Sequence, residues 1–459
     1  MEKKPHVIVI PYPAQGHVAP LMKLAYKLAD HGIKVTFVNS ESIHGRIMAA
    51  MPENLEEKIP ISLISISDGV ESNRDRKDRI KKLKSISSSM PGNLQKLIES
   101  LNQSANHDDQ VSCVIADLTL KGALEVAKKM GIKRAGVLPY GVGNLALQLH
   151  APKLIEDGII DADGMPLKDE VICLAKTFPP CNSNELVWSV SGETEMQKFI
   201  FAQFIRDIAE AARNSNWLLV NSFSELEPSA CDLIPDASPI GPFCANNHLG
   251  QPFAGNLWRE DSTCLNWLDQ QPEDSVIYAA FGSTGVCNQQ QLNELAIGLE
   301  MIGQPFLWVV RSDFTKGSLT EFPDGFMERV ATYGKIVEWA PQEQVLAHPS
   351  TACFFSHCGW NSTMEGLTMG IPFLCWPCLV DQFHNKSYIC ETWKVGLGVI
   401  PDENGIVTRN EIKAKIEKLL SDKDIKANSL KLKEMSQKSI SEGGSSFKNF
   451  ISFVEQIKQ

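Results

Sequence analysis

No run of about 18 uncharged apolar residues occurs in the chain, so the sequence offers no membrane-spanning helix. Positive charge is also in short supply. The 44 Lys and Arg stand against 55 Asp and Glu, a formal net charge of −11. That excludes broad binding to nucleic acid or to an anionic membrane, which needs a basic face. A local cationic pocket for a phosphate stays open. The one dense basic stretch, Arg74–Lys84, is interrupted by two Asp and reads as a solvated face or loop.

Clustered cysteines are missing too. The twelve Cys are scattered in apolar company, as at Cys113, Cys353 and Cys390. They read as buried thiols in a reducing compartment, not as a disulfide framework. No Gly-x-Gly-x-x-Gly follows an expected strand, which disfavours a dinucleotide oxidoreductase. No Gly-x-x-x-x-Gly-Lys-Ser/Thr occurs, which disfavours a P-loop nucleotidase. Cys375-Trp-Pro-Cys378 has the spacing of a redox or zinc motif but lacks a second Cys or His pair, so no metal site is expected. The N-terminal MEKKPHVIVIPYP carries too short an apolar run for a signal peptide. Sequons at Asn102, Asn361 and Asn385 then read as chance matches, and the cytosol is the expected location.

A single core rarely grows past roughly 250–300 residues, so 459 residues imply two domains. The periodicity supplies them. His6–Ile10 reads as a buried strand and Pro20–Ala29 as a helix, with Pro20 in its first turn and Gly32 at its stop. Lys34–Val38 reads as the next strand. Strand, helix, strand over so short a span is a βαβ unit with parallel strands. The pattern recurs as a strand at Val111–Ala116, a helix at Ala123–Met130, and strands at Lys133–Leu138 and Trp217–Val220. Pro and Gly then thicken into a linker at 241–260, separating domain 1–240 from domain 261–445. The second half restarts with strands at Val276–Phe281, Phe306–Val310, Lys335–Trp339, Ala352–Ser356 and Pro372–Trp376, and a helix at Gln289–Ile302. The segment 446–459 holds a last helix, Ser446–Lys458, free to pack on either domain. The fold class is therefore α/β, two Rossmann-like domains whose parallel sheets face a cleft.

Chemistry-bearing residues fall at strand ends. His17 follows the first strand, and Asp117 ends another. As a pair, the Asp would fix the imidazole tautomer and support its charged form. Ser283 sits in a Gly-Ser turn after a third strand. His357-Cys-Gly359-Trp360-Asn361-Ser362 lies between a strand and a helix start, where free N–H groups and the helix dipole suit a phosphate. Ser362 and Glu365 also fit a capping box that needs no ligand.

Trp339-Ala340-Pro-Gln342, then Val345-Leu-x-His348, His357 through Ser362, Glu365, Gly370-x-Pro372, Pro377 and Asp381-Gln382 together resemble the donor-binding box of plant small-molecule UDP-glycosyltransferases. The stretch from Trp339 to Gln382 has that box's 44-residue length. The Pro-x-x-Gly16-His17 loop, Asp117 and the Phe-Gly-Ser283 turn extend the resemblance over nearly the whole chain, nearest to the 83A-type group. The resemblance implies a GT-B fold. It implies that Trp339 stacks on uracil beside Ala340, and that Gln342 binds the base through its backbone. Glu365 would hold the ribose; Ser283, His357, Gly359, Asn361 and Ser362 the diphosphate; Trp360, Asp381 and Gln382 the sugar. His17 would be the general base, with Asp117 behind it. Gly16, Leu118, Pro139 and Tyr140 would border the acceptor, with loops 68–89 and 141–190 walling it.

One position departs from the family. Many members carry Thr or Ser where this chain has Pro139, and that hydroxyl often touches the sugar. The implied reaction is inverting, metal-independent transfer of glucose from UDP-glucose to a hydroxyl of a flavonoid, other phenolic or terpenoid. No cofactor, nucleic-acid partner or second subunit is expected. A rival reading, a UDP-sugar-binding protein without catalysis, has no need of His17 and Asp117.

Overall fold

The computed structural model describes residues 5–53, 55–70, 79–104, 110–190, 192–243, 253–315 and 320–459. Part of the basic stretch and of the first acceptor loop (71–78), and 244–252 of the linker, lie outside them.

Fifteen strands are described. In the first half these are β1 (His6–Ile10), β2 (Lys34–Ser40), β3 (Ser62–Ile66), β4 (Val111–Asp117) and β5 (Lys133–Leu138). A two-stranded antiparallel ribbon follows, β6 (Val171–Ile172) with β7 (Cys181–Asn182), and then β8 (Trp217–Val220) and β9 (Ala237–Pro239). The second half holds β10 (Val276–Ala280), β11 (Phe306–Val309), β12 (Gly334–Val337), β13 (Thr351–Ser356), β14 (Phe373–Cys375) and β15 (Gly396–Gly398). One sheet runs β3-β2-β1-β4-β5-β8-β9 and the other β12-β11-β10-β13-β14-β15, every pairing parallel.

Strands this apolar are covered on both faces. Along β1, Ile8 and Ile10 enter one core while Val7 and Val9 enter the other. Along β10, Val276 and Tyr278 part from Ile277 and Ala279 in the same way. The last helix, Ser445–Lys458, returns to the first half. Its Phe450, Phe453, Val454 and Ile457 join the core of Val7, Leu21 and Leu24, and Asn449 Nδ2 donates to the Pro239 carbonyl at 2.8 Å.

Two expectations are corrected. The first helix spans Gln15–Asp30 and so holds Pro20 in its interior, not in its first turn. Proline there removes the bond that the Gly16 carbonyl would receive. Asn361 Nδ2, from the other half, donates to that carbonyl at 2.6 Å instead. Strand β12 stops at Val337, which leaves Trp339 beyond the sheet in the loop leading to Pro341.

Candidate active site

Strand order reverses between β1 and β4 in one sheet and between β10 and β13 in the other. Open α/β sheets take ligands outside the carboxyl ends at such switch points. His17, Asp117, Ser283 and His357 sit at those four strand ends. The two crevices merge into one cavity of about 500 Å³ between the halves.

His17 lies in the first turn of its helix, lining the cavity. Its Nδ1 is 2.5 Å from Asp117 Oδ2. Asp117 is fully buried, and its Oδ1 accepts from the Thr119 amide at 3.0 Å and hydroxyl at 2.6 Å. A carboxylate held this way accepts the Nδ1 proton and leaves Nε2 with its lone pair. Burial works against the imidazolium. The charge and hydrogen bond of Asp117, with a further contribution from Asp381, outweigh it, and His17 is held above its ordinary value.

Across the cleft, β13 turns into the helix Trp360–Met369 through Cys358, whose φ of 63° is left-handed. Backbone strain of this kind gathers at sites that the surroundings over-determine. Val380, beside Asp381, is a second such residue at φ 47°. Gly359 caps the helix without a side chain, so the N–H groups of Asn361 and Ser362 in its first turn are left to a ligand. His357 is wedged between two glycines: a Cβ on Gly282 or on Gly359 would come 2.4 Å from Nε2. Burial lowers its pKa to about 4, so the ring is neutral. Arg311, 5% exposed, bonds the carbonyls of Gly282 and, at 2.8 Å, Gly285, and so pins the turn that carries Ser283.

Trp339 and the nearly buried Ala340 border the far end of the cavity. Gln342 spends its side chain internally. Its Oε1 accepts from the Tyr278 hydroxyl at 3.0 Å, and its Nε2 donates to Ser362 Oγ at 2.8 Å and Glu365 Oε2 at 2.7 Å. Only its backbone is left for a ligand. The capping box does not form, because Ser362 is the third helical residue and its hydroxyl faces Gln342. Burial pushes the Glu365 carboxyl up, against the pull of Lys23. Lys23 crosses from the first half to pair with Glu365 at 3.3 Å and with Glu343.

At the other end, burial raises Asp381 to about 6, opposed by a bond from Asn385 at 2.9 Å and by the nearby His17; its carboxylate also meets the Trp360 amide. Gln382 Oε1 accepts from the Cys378 and Leu379 amides at 2.8 and 3.1 Å. Trp360 is chiefly a core residue, 3% exposed, donating from Nε1 to the Asn221 carbonyl at 2.7 Å. It also borders the cavity, so packing and the expected sugar contact share one residue. The sequon at Asn385 is fully buried, its amide bonded to the Cys358 carbonyl at 2.9 Å.

Gly16, Pro139 and Tyr140 border the cavity; Leu118 does not. Its side chain is 1% exposed and packs toward Gly136, so Thr119 takes the place expected of Leu118. Tyr140 donates to Gln148 Oε1 at 3.0 Å. Val187 contributes from the second expected loop, whereas Leu83 contributes from a helix, Arg79–Ser104, in place of the expected loop, and Met196, Ile200 and Phe204 extend the wall beyond residue 190. The aromatic-rich run Phe199–Phe204 carried that signal in the sequence. Among the described residues, no three His, Cys, Asp or Glu side chains gather in a way that would hold a metal ion, and no helix is long and apolar enough to cross a membrane.

The chain matches two family models: "UDP-glucoronosyl and UDP-glucosyl transferase" over residues 197–440 and "Glycosyltransferase, N-terminal domain" over residues 4–56. It is 41% identical to UDP-glycosyltransferase 83A1 of Arabidopsis thaliana, covering 99% of this chain and 97% of that one. Among solved structures it is similar to Os79 of O. sativa in complex with UDP, at 27% identity and a TM-score of 0.80 over 98% of this chain and all of that one. It is also similar to Phytolacca americana UGT2 complexed with UDP-2-fluoro-glucose and pterostilbene, at 26% identity and a TM-score of 0.79, covering 99% of this chain and all of that one.

Proposed function

Since this chain belongs to the UDP-glucoronosyl and UDP-glucosyl transferase family, as a GT-B UDP-glycosyltransferase of the plant 83A type, we propose that it moves glucose from UDP-glucose to a hydroxyl of a small, largely apolar acceptor, with inversion at the anomeric carbon. The observation that carries the reading is the 2.5 Å contact of His17 with Asp117, facing the helix start at Trp360 across one cavity. A binding protein gains nothing from a buried carboxylate that frees Nε2 of a cleft histidine.

In this reading His17 Nε2 takes the acceptor's proton as its oxygen attacks the sugar. Asp117 orients the ring and stabilises the imidazolium. UDP departs on the opposite face. Its growing charge meets the first-turn N–H groups at Asn361 and Ser362, the Ser283 turn and neutral His357, dipoles already in place before the reaction. Trp339 stacks on uracil, Glu365 holds the ribose, and Asp381 and Gln382 hold the glucose. The complex of the similar Phytolacca americana UGT2 with UDP-2-fluoro-glucose supports the donor assignment. Tyr12, Val187, Ile200 and Phe204 give the acceptor apolar walls.

The pH profile tests the base. His17 works only when unprotonated, and Asp117 raises its pKa above 6.5. The kcat/KM for transfer is therefore expected to fall as pH drops through a value above 6.5. In Asp117→Asn, burial acts with much less opposition, and the acid limb should move to lower pH while the maximum rate falls. An acid limb that stays put in that variant contradicts the pairing.

A further inference from the structure

We infer that Trp258, in the segment between the two sheets, is a positioning residue for the nucleobase, and that Arg46 of the first half completes the same stack. The inference rests on the reading of Trp339 as the uracil platform. Trp258 lies parallel to Trp339, ring centroids 4.5 Å apart at 19°. Trp339 borders the cavity and Trp258 does not. One face of Trp339 is therefore backed by an indole while the rest of the residue borders the ligand space. The Arg46 guanidinium sits 4.2 Å from the Trp258 ring centroid. Arg46, Trp258 and Trp339 form one continuous set of ring contacts, and of the two indoles Trp339 is the one that reaches the cavity.

The backbone ties this stack to both halves. The Asp261 amide donates to the Trp339 carbonyl at 2.9 Å. The Leu257 amide donates to Gln15 Oε1 at 2.8 Å, two residues before His17, and the Leu257 side chain is buried in the core of Val7 and Leu21. Trp258 thus stands between a residue anchored to the first half and one anchored to the Trp339 loop. Trp339 lies outside any strand, so its ring plane is set by what lies against it. An indole backed on one face and approached by uracil on the other needs less ordering when the base arrives. Arg46 adds an attraction to the ring face of the middle layer.

The test is UDP affinity by titration calorimetry on the full chain, with Trp339→Ala, Trp258→Ala, Trp258→Phe and Arg46→Met compared at matched folded fraction. Trp258→Ala is expected to weaken UDP binding by about three- to tenfold, and Trp258→Phe to restore most of it. Arg46→Met should weaken it by about twofold. The donor KM should rise with Trp258→Ala while kcat and the acceptor KM hold. If Trp339→Ala weakens UDP binding and Trp258→Ala does not, the backing role is overturned and the platform stands. If neither weakens it, the platform reading falls and the inference with it.

Discussion

Replacing His17 by alanine is expected to lower kcat by about 10²–10⁴-fold and to leave UDP affinity within about twofold. The two effects separate because His17 meets the acceptor, while the nucleotide is held by the opposite half. The imidazole is positioned before any substrate arrives. Asp117 is fully buried and bonded to Thr119 through one oxygen and to His17 through the other. A side chain placed this firmly contributes mainly to the chemical step. A normal kcat in the variant would move the base elsewhere; a large loss of UDP affinity would mean that the first half holds the nucleotide too.

Replacing Glu365 by alanine is expected to raise the donor KM by roughly 10–100-fold, the size of a charge-assisted hydrogen bond lost from a buried site. Glu365 is fixed by Gln342 at 2.7 Å and reached by Lys23 at 3.3 Å, so its carboxylate is already desolvated and aimed along the cavity edge. Its loss also leaves Lys23 with Glu343 as a carboxylate partner. Steady-state kinetics with varied UDP-glucose reads the effect. An unchanged donor KM would reduce Glu365 to a link between Lys23 and Gln342.

The chain's strands were legible because parallel, doubly covered strands are short apolar runs, and those runs end at residues with chemistry. His17, Asp117, Ser283 and His357 all follow from that pattern. The halves' contacts were not legible. Periodicity places Asn361 at a helix start but cannot say that its amide satisfies the carbonyl left bare by Pro20, which is why the first helix is expected to start five residues too late. Leu118 shows the same limit on a smaller scale: it follows Asp117 in sequence, yet its side chain turns into the core, and Thr119 reaches the cavity. Trp360 reads as a ligand contact from its neighbours and does border the cavity, but its indole also packs against Gly141 and bonds the Asn221 carbonyl of the other half, which no local pattern announces. Lys23 and Trp258 carry no local pattern at all, because their partners lie hundreds of residues away or in the second half. The acceptor's identity stays hidden for a related reason, since an apolar wall of Phe, Ile and Met fits many flat molecules equally.

The most direct test is to incubate the purified chain with UDP-glucose, EDTA and a panel of flavonoids, simple phenols and terpenoids, with His17→Ala alongside, and to read products by mass spectrometry and the anomeric configuration by NMR. Inverting transfer with His17 as base gives a hexose mass gain on a hydroxyl of at least one acceptor, a β-linkage, and product formed at least about 100-fold more slowly with His17→Ala. An α-linked product, or equal product from the variant, would contradict it.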